Sequence, residues 1–555
     1  MIKSDYDYYV DELTSLKRDG KVFADKYPEA AKQLNLGIAD NLDPSVERII
    51  ESTAFLIGKI KKTTDESLHE ISDYLLNFFY PLLLKDIPSY AIVEFKGKEG
   101  LIAGGENIPK GTCISVYSLD SSKESIKYST VTDCEITGLE IVNSNLDDMN
   151  GMSYLDIEFH INKSFNLDID NFKSIKMFIK NEYSKDIALA LRFFLLNYLS
   201  NIKFIINGKS YNSDLKVKST EVDDCFSSFL NNNCEGLGIQ YFFASKDIFN
   251  FIEIVNFSSG ILKIIDDSFI LRFEFSRKFP LYFNYSTNLF CLHCAPIINL
   301  YKEACEPIKL QPTQNTYDIL ITNNKSKNKI IHELLSVTSS NDIKFYNIVD
   351  RKSSTLEANC YYVLRNNDNY KLVLCNQFGL SQKMILSIEA NVTNEISKES
   401  RYSELSGITL QSERSFLEST KFIVFPTPNL KPVNNDENKA NLLSLLSFNM
   451  NKHFELNDLH NVLKIFIRDK VDSNYLKVFG IQKYKKHVIT RLNRGCLEKG
   501  YRIELEISSQ SFSGEFDCLL FSEQIYKFLK KFVDVNLFIE LEVLIKPSGS
   551  AYIFK

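Results

Sequence analysis

The sequence predicts a multi-domain α+β protein with an N-terminal helical arm, β-rich middle domains and a C-terminal β-α-β subdomain. Apolar residues recur at helical spacing from the N-terminus up to Pro88. From Ser89 onward, this spacing changes to the alternation that is typical of strands. A chain of 555 residues also exceeds what one hydrophobic core organises, so we expect about three or four domains.

The changes of pattern along the chain predict its segments. They are a helical arm at 1–88, a β-rich domain at 89–170, an α+β domain with a β-α-β unit at 171–300, a β-rich and loop-rich region at 301–435, and a C-terminal α/β subdomain at 436–555. Pro426, Pro428 and Pro432 mark the boundary before the last segment, because proline interrupts regular secondary structure.

The first predicted helix of the arm carries a narrow apolar stripe. Its positions have the 3,4 spacing of heptad a and d sites: Tyr6, Tyr9, Leu13, Leu16, Gly20, Phe23 and Tyr27. A stripe of this kind favours packing against a partner helix. Pro28 follows the stripe directly and predicts that the helix ends or kinks there.

Two further helices are predicted in the arm. The second begins at Asp43-Pro44, because aspartate suits an N-cap and proline suits the first helical position. Its apolar positions are Val46, Ile50, Ile57 and Ile60, with Ile49, Ala54, Phe55 and Leu56 widening the face. The run Lys59, Lys61 and Lys62 favours a helix C-terminus after it. A third helix carries apolar residues from Leu68 to Phe79 and ends near Pro81.

Three short helices cannot bury this much apolar surface among themselves. We therefore expect part of it to contact another chain, in a helix bundle formed between chains. The predicted partner interface consists of Tyr6, Tyr9, Leu13, Leu16, Phe23, Tyr27, Val46, Ile50 and Ile57. The alternative is an ordinary N-terminal helical subdomain that packs on the rest of its own chain.

The segment after the arm is predicted to form an antiparallel β domain. Strands are expected at Tyr90–Phe95 and Cys113–Tyr117, and alternating segments follow at 126–143 and 154–161. Near the C-terminus, apolar helical spacing predicts a helix at 457–466, and a further helical patch is expected at 440–449.

Two units with the order strand, helix, strand are predicted. The first comprises Ile175–Ile179, Asp186–Leu199 and Ile202–Ile206, and the second comprises Tyr501–Ile507, Leu519–Phe532 and Leu537–Ile545. The shared order suggests two related subdomains, although their sequences have no alignable identity. Asn207-Gly208 predicts a two-residue hairpin whose second strand is expected near Leu215–Val217.

Composition and charge exclude several classes of protein. The net charge is −6 and the basic residues are scattered, so we expect no nucleic-acid partner, which would require a basic patch. No apolar run reaches the roughly 18–20 residues that cross a bilayer, and the polar N-terminus does not resemble an export signal. We therefore expect a cytoplasmic protein that does not insert into the membrane, with its 11 cysteines in the reduced state.

The search for catalytic chemistry leaves one candidate metal site. Cys291-Leu292-His293-Cys294 is followed by Cys305, but structural zinc usually has four ligands and no second ligand pair occurs in the sequence. Ile206–Ser210 ends like a phosphate-binding loop, yet Lys203 occupies the position of the required first glycine. We therefore predict no catalytic, cofactor-binding or metal-binding residue, no cofactor and no enzymatic activity.

The arm is also where the chain resembles a known family. The residues in question are Tyr8-Tyr9, Glu12-Leu13, Leu16, Gly20, Phe23-Ala24, Tyr27-Pro28, Asp43-Pro44, Val46-Glu47-Arg48, Glu51 and Ala54-Phe55-Leu56. In this order and spacing they resemble the TssF family, also called VasA or ImpG. A second similar segment runs from Cys294 to Leu300 and on to Glu306-Pro307-Ile308. Leu82-Leu83 and Ile136-Thr137-Gly138 depart from the family pattern, which indicates a divergent member.

The resemblance implies a baseplate wedge component of a type VI secretion system without catalytic activity. It implies as partners a second copy of the chain, a TssG-like protein, a TssE-like protein that meets the sheath, a TssK-like protein and a VgrG-like spike. It further implies recruitment from the cytoplasm to a secretion apparatus docked at the inner membrane. Two alternatives stay open at this point: an unrelated cytoplasmic scaffold and, more distantly, a metal-dependent enzyme.

Overall fold

The computed structural model forms two compact units, Met1–Phe79 and Tyr80–Lys555. The residues that the structure describes are 5–33, 44–79, 83, 85–98, 106–117, 125–149, 151–162, 174–181, 186–220, 237–257, 267–280, 285–311, 314–322, 328–341, 343–347, 359–366, 369–375, 384–396, 408–410, 416–432, 455–468, 471–493, 496–533 and 537–555. The predicted helix at 440–449 and the predicted N-cap Asp43 lie outside these residues.

The small unit contains three helices. They are α1 (Asp5–Lys26), α2 (Pro28–Gln33) and α3 (Pro44–Phe79). The prediction that Pro28 ends the first helix is confirmed, because α1 stops at Lys26 and Pro28 opens α2. Proline suits a first helical position because it has no N–H to donate, and it disfavours the helical conformation of the residue before it.

The predicted break between a second and a third helix is wrong. Residues 44–79 form one helix of 36 residues, and the lysines at 59, 61 and 62 lie in its middle. No proline follows them before the helix ends, so nothing forces a break. The hydroxyls of Thr63 and Thr64 donate to the carbonyl oxygens of Lys59 and Ile60, both at 2.9 Å, and these β-branched residues thereby remain within the helix.

Helices α1 and α3 run antiparallel and approach each other closely at Gly58. A Cβ added to Gly58 would lie 3.2 Å from the backbone nitrogen of Tyr9, and Ala54 one turn away is fully buried. Ion pairs connect the two helices further along, between Lys61 and Glu12 and between Lys17 and Glu47 at 3.3 Å. The small side chains of Gly58 and Ala54 therefore determine how close the helices come.

The large unit is built around a six-stranded antiparallel sheet, which we call the central sheet. With strands numbered along the chain, its spatial order is β24 (Ile408–Leu410), β3 (Cys113–Tyr117), β4 (Ser125–Thr130), β15 (Cys294–Ile298), β1 (Tyr90–Gly97) and β25 (Leu417–Val424). The predicted strands at 90–95 and 113–117 are confirmed. The central sheet combines strands from three of the predicted segments, and the proposed boundaries between those segments stay a prediction.

Two further antiparallel sheets follow from residues 139–291. The five-stranded sheet has the order β10 (Lys209–Asn212), β9 (Leu199–Ile206), β13 (Ser268–Phe275), β7 (Met152–Ile161) and β6 (Leu139–Met149). The four-stranded sheet has the order β11 (Lys216–Ser219), β12 (Phe251–Val255), β8 (Ser174–Ile179) and β14 (Phe290–Cys291).

An eight-stranded sheet carries a core of its own. Its path is β16 (Tyr301–Ala304), β23 (Ile385–Asn394), β19 (Lys329–Ser339), β20 (Lys344–Asn347), β21 (Cys360–Asn366), β22 (Asn369–Leu374) and β18 (Thr316–Ile319), with β17 (Ile308–Lys309) pairing with β23. A small two-stranded sheet joins β2 (Glu106–Ile108) to β5 (Cys134–Ile136).

The C-terminal sheet has the order β26 (Ile481–Asn493), β27 (Cys496–Ser508), β28 (Leu537–Lys546) and β29 (Ser550–Phe554). The described helices of the large unit are α4 (Ile187–Asn197), α5 (Leu237–Ala244), α6 (Leu456–Ile465), α7 (Asp472–Phe479) and α8 (Glu515–Lys530), and 3₁₀ turns occur at Asp247–Asn250 and Ser509–Ser511. Helix α6 confirms the helix predicted at 457–466.

The two predicted strand-helix-strand units differ in topology. In the C-terminal unit, α8 connects β27 to β28, which are parallel neighbours in one sheet, as a β-α-β unit requires. In the first unit, β8 and β9 belong to different sheets. Helix α4 between them is buried along its length from Ile187 to Leu195, so it leads from one sheet to another. The similarity between the units ends at the order of their elements.

The hairpin predicted at Asn207-Gly208 is confirmed. Both residues have positive φ, 51° and 76°, as a type I′ turn requires, and they connect β9 to β10. The expected second strand at Leu215–Val217 is wrong, because residues from Lys216 onward pair with β12 in the four-stranded sheet. Because the turn contains only Asn207 and Gly208, the second strand of the hairpin begins directly at Lys209, opposite Ile206.

Helices α4 and α8 are joined by a buried ion pair. The guanidinium of Arg192 donates to both carboxylate oxygens of Glu523, at 2.8 and 3.1 Å, and Lys527 pairs with the same carboxylate at 2.9 Å. Burial alone would raise the pKa of Glu523, but the two cations hold it at about 2. The rings of Phe193 and Phe194 pack against Phe516 beside the pair, so α4 and the C-terminal sheet share one core.

We predict that Glu523→Gln destabilises the large unit at pH 7 by about 3–5 kcal/mol, because it leaves Arg192 buried without its counter-charge. The pKa of Glu523 is lowered on folding, so its contribution is present above the unfolded value of about 4.3. That contribution is lost as the pH falls towards the folded value of about 2. Denaturant unfolding at pH 7 and at pH 3 tests this, and the difference between variant and wild type should shrink at pH 3.

The matched control is the double variant Arg192→Met and Glu523→Met, which removes both charges and fills the space with apolar side chains of similar size. It should lose less stability than Glu523→Gln alone, since the buried charge of Arg192 is gone and the remaining cation, Lys527, is 30% exposed. Equal stability of Glu523→Gln and wild type at pH 7 would contradict the role of the pair.

A second prediction concerns the close approach of α1 and α3. Gly58→Leu should force these helices apart, because even a Cβ at this position meets the backbone of Tyr8 and Tyr9. Gly20→Leu is the matched control, since a Cβ at Gly20 meets nothing within 4 Å. Hydrogen-exchange mass spectrometry of the full chain should show lost amide protection in α1 for Gly58→Leu only. Unchanged protection in that variant would refute the assignment.

Candidate interaction surface

The small unit exposes large apolar side chains on the face of α3 that points away from α1. Ile49, Leu56 and Ile60 are 65%, 59% and 65% exposed. Their spacing of seven and four residues places them on one side of a helix. Ala54 and Gly58, which face α1, lie on the opposite side. Helix α3 therefore packs on α1 with one face and presents an apolar face on the other, which we call the outer face of α3.

The predicted interface residues fall into groups. Tyr6, Phe23 and Tyr27 of the stripe are exposed, and Phe23 and Tyr27 pack against each other with ring centroids 5.4 Å apart. Five other predicted residues are only half-buried: Tyr9, Leu13, Leu16, Ile50 and Ile57. The side chain of Val46 lies outside the described residues. The assignment of these residues to a partner interface stays a prediction.

The sequence indicated the outer face of α3 only indirectly. Ile49, Phe55, Leu56 and Ile60 were recognised as apolar residues of the second predicted helix, without a distinction between its faces. Periodicity identifies an apolar stripe but does not tell which part of a broad stripe packs within the chain. The small residues Ala54 and Gly58 were the available signal, because close helix packing favours them.

A second exposed apolar surface, which the sequence analysis missed, lies on the C-terminal sheet. Val488, Leu492 and Leu497 are 71%, 74% and 70% exposed. Leu492 lies opposite Leu497 in the ladder between β26 and β27, and Val488 lies on the same face four residues earlier. The long β26–β27 ribbon therefore carries a small apolar patch near its turn. Only the register of the ladder brings Leu497 to the other two residues.

The candidate metal site forms a corner between two sheets. Cys291 ends β14, Cys294 begins β15, and both side chains are buried. Between them, His293 has a φ of 53°, and its Nε2 accepts the backbone N–H of Thr137 at 3.1 Å. Burial lowers the pKa of His293 to about 4, so the imidazole is neutral at pH 7.

Cys305 does not join this corner. It packs in the core of the eight-stranded sheet, whereas Cys291 and Cys294 share a different core cluster. Among the residues that the structure describes, no group of three or more His, Cys, Asp and Glu side chains is arranged to hold a metal ion. The eight cysteines described with their side chains are free thiols.

A cavity of about 370 Å³ opens beside the corner, and His293 and Cys294 form part of its wall. Two carboxylates on its wall take part in hydrogen bonds within the fold. Asp133 accepts the backbone N–H of Lys110 at 2.7 Å, and Glu253 accepts the hydroxyl of Ser174 at 2.6 Å. The first bond holds the loop at Lys110, and the second joins the paired strands β8 and β12.

None of the helices among the described residues is both long enough and apolar enough to span a bilayer.

Comparison with known proteins gives consistent results. The sequence profile of the family described as "Type VI secretion system, TssF" matches residues 1–553. The type VI secretion system component TssF1 of Pseudomonas aeruginosa is 26% identical over 141 residues, which cover 25% of this chain and 23% of that protein. The chain therefore aligns with less than a quarter of the length of this curated relative.

Two solved structures share the fold. A chain in the cryo-electron microscopy structure of the type VI secretion TssK-TssF-TssG baseplate subcomplex has a TM-score of 0.75 at 18% identity, over 92% of this chain and 98% of that chain. A chain in a structure of the type VI secretion baseplate complex has a TM-score of 0.62 at 16% identity, over 100% of this chain and 98% of that chain. The predicted multi-domain α+β fold is thereby confirmed.

The profile match extends over almost all of the 555 residues. It confirms the resemblance first recognised in the arm and between Cys294 and Ile308, and it includes the segments that depart from the family pattern. The chain belongs to the TssF family of the type VI secretion system.

Proposed function

We propose that this chain is a structural subunit of a type VI secretion baseplate and that it assembles with TssG-like and TssK-like proteins. The observation that carries this proposal is the shared fold over 92% of the chain with a chain of a TssK-TssF-TssG baseplate subcomplex, together with the family membership. A subunit that resembles its relative from end to end has kept the domains through which such a subunit is built into an assembly.

The apolar surface of the arm supports an assembly role. Ile49, Leu56 and Ile60 together form a contiguous apolar face that is unfavourable in water. Exposed apolar side chains on a helix are typical of helix-in-groove or bundle contacts between chains. We therefore propose that the outer face of α3, with the exposed Tyr6, Phe23 and Tyr27 of α1, packs against helices of a TssG-like protein.

The remaining partners are proposed on the resemblance to the family. They are a second copy of this chain, a TssE-like protein and a VgrG-like spike. The same resemblance supports a location in the cytoplasm, at a secretion apparatus docked on the inner membrane. A second copy could use the same helical arm, since two TssF-like chains can each contribute α1 and α3 to one bundle.

We infer that the role is not catalytic. Asp133 and Glu253 on the wall of the cavity described above are engaged in hydrogen bonds within the fold. The neutral His293 is fixed by Thr137, and the candidate metal ligand Cys305 packs in a separate core. These contacts are typical of a stable scaffold.

The arm interface can be tested with charge substitutions. Leu56→Glu combined with Ile60→Glu should reduce co-purification with a co-expressed TssG-like protein at least about tenfold, because burying two unpaired carboxylates at an interface is strongly unfavourable. Both side chains are more than half exposed, so amide exchange in α1 and α3 should match that of the wild type.

The control for this test is Val488→Glu combined with Leu492→Glu. It makes the same chemical change at somewhat more exposed positions on the β26–β27 ribbon and should leave binding of the TssG-like protein unchanged. Full binding by the α3 variant together with lost binding by the ribbon variant would move the interface from the arm to the ribbon.

The assembly itself can be tested by mass determination. Co-expression with a TssG-like chain should yield a stable complex that contains more copies of this chain than of its partner, as native mass spectrometry would measure. A monodisperse monomer that does not bind the partner would leave the unrelated-scaffold alternative as the better explanation.

A further inference from the structure

The corner at Cys291–Cys294 connects two sheets. Cys291 pairs with Phe178 of β8 in the four-stranded sheet, and Cys294 pairs with Glu94 of β1 in the central sheet. The chain turns between these ladders within two residues. The left-handed conformation of His293 makes this sharp turn possible.

The turn brings the two thiols together. The thiols of Cys291 and Cys294 lie close enough that each shifts the pKa of the other, and both belong to one apolar cluster with Ile92, Phe178 and Phe251. The thiol of Cys294 also lies 3.3 Å from the carbonyl oxygen of Leu292. The Cys-x-x-Cys spacing within a tight turn is the arrangement in which neighbouring thiols exchange readily with a disulfide.

The two thiols have opposite electrostatic environments. The neighbouring Cys294 lowers the pKa of Cys291 against the effect of burial, and Lys180 lowers it further. Glu94, the nearby carboxylate that opposes this effect, is itself paired with Lys421 at 2.7 Å. Burial and the neighbouring Cys291 raise the pKa of Cys294. Cys291 is therefore the better nucleophile, and Cys294 retains its proton.

Other buried cysteines of the described chain lack this environment. Burial raises the pKa of Cys305 and of Cys134 to about 11 and about 12. It also raises the pKa of Cys518, which has no exposed surface. Lys176 lowers the pKa of Cys134 but does not offset the effect of burial, so the thiolates of these residues stay unfavourable and the thiols are inert. All of these cysteines are buried, and Cys291 differs from the others in having Cys294 and Lys180 beside its thiol.

A small oxidant can approach the pair from the cavity. Cys294 forms part of the wall of the cavity of about 370 Å³, and Cys291 belongs to the same apolar cluster as Cys294. The cavity is wide enough for a molecule of the size of hydrogen peroxide, and Lys176 and Glu135 are among the residues that line it.

We propose that Cys291 and Cys294 form a redox-active dithiol, which a peroxide converts into a disulfide across the corner between the two sheets. The Cys291 thiolate attacks one oxygen of hydrogen peroxide, the O–O bond breaks, and hydroxide leaves to become water, so that Cys291 becomes a sulfenic acid. The sulfur of Cys294 then attacks the Cys291 sulfur, the S–O bond breaks, and the hydroxide departs with the Cys294 proton as water. Two thiols lose two electrons, and one peroxide is reduced to two waters.

The disulfide would tie β14 covalently to β15. The corner would then no longer open without breaking a covalent bond, and a dithiol reductant would restore it by thiol–disulfide exchange. This modification is independent of the proposed assembly with TssG-like proteins, since the corner lies in the large unit and is built from residues of its sheets.

The first test uses the unmodified full-length protein. Pulsed alkylation with isotopically labelled iodoacetamide at pH 7, with each cysteine quantified by mass spectrometry, should modify Cys291 at least about tenfold faster than Cys305 and Cys518. The three side chains are similarly buried, so exposure does not explain a difference. Equal rates at these three residues would overturn the proposal.

The second test follows the product. Treatment of the full chain with hydrogen peroxide should yield a linked peptide containing Cys291 and Cys294, two hydrogens lighter than the dithiol, which dithiothreitol reverses. In Cys294→Ser, Cys291 should stop at a sulfenic acid that dimedone traps. Cys134→Ser, on the wall of the same cavity, is the control and should still form the disulfide. Sulfonic acid without a linked peptide, or a link to Cys134, would refute the assignment. The alkylation test uses the unmodified protein, so its result does not depend on whether a variant folds.

Discussion

Strand β1 must satisfy its backbone hydrogen bonds on both edges, and the architecture of the large unit depends on this requirement. Residues Tyr90–Val93 are buried, so unpaired N–H and C=O groups there would be costly. One edge pairs with residues 294–298 and the other with 417–424. The central sheet is therefore complete only when distant parts of the chain have come together. Side chains of β1 alternate between two apolar clusters, with Val93 and Phe95 in one and Ile92 in the other.

The same dependence on distant segments recurs where α4 meets α8. Both helices have apolar surroundings, and the Arg192–Glu523 pair lies between them. A buried pair of this kind contributes less to net stability than to the choice of one arrangement, because any other packing leaves a charge without its partner. The bidentate geometry also fixes the rotation of each helix. The C-terminal sheet and the segment around α4 are thus held in a defined relation.

The two units combine rigid packing with exposed apolar surface. In the large unit, sheets share cores, and the corner at Cys291–Cys294 joins the four-stranded sheet to the central sheet beside β1. In the small unit, α3 uses Ala54 and Gly58 to approach α1 and leaves Ile49, Leu56 and Ile60 in water. In a protein that acted alone, polar residues at these three positions would be more favourable in water. Their presence supports the proposed helix bundle between chains and thereby the proposed baseplate role.

The sequence by itself determined the class of the fold, the end of α1 before Pro28, the turn at Asn207-Gly208 and the family, because periodicity, proline and turn residues act over a few neighbouring positions. Only the tertiary structure decided that 44–79 is one helix, that β8 and β9 lie in different sheets, and that Leu497 joins Leu492 on one exposed patch. It likewise decided which side of α3 is free and that Arg192 meets Glu523. Sheet membership, burial and charge pairing depend on contacts between separate elements, which for Arg192 and Glu523 lie 331 positions apart, and no local pattern records them.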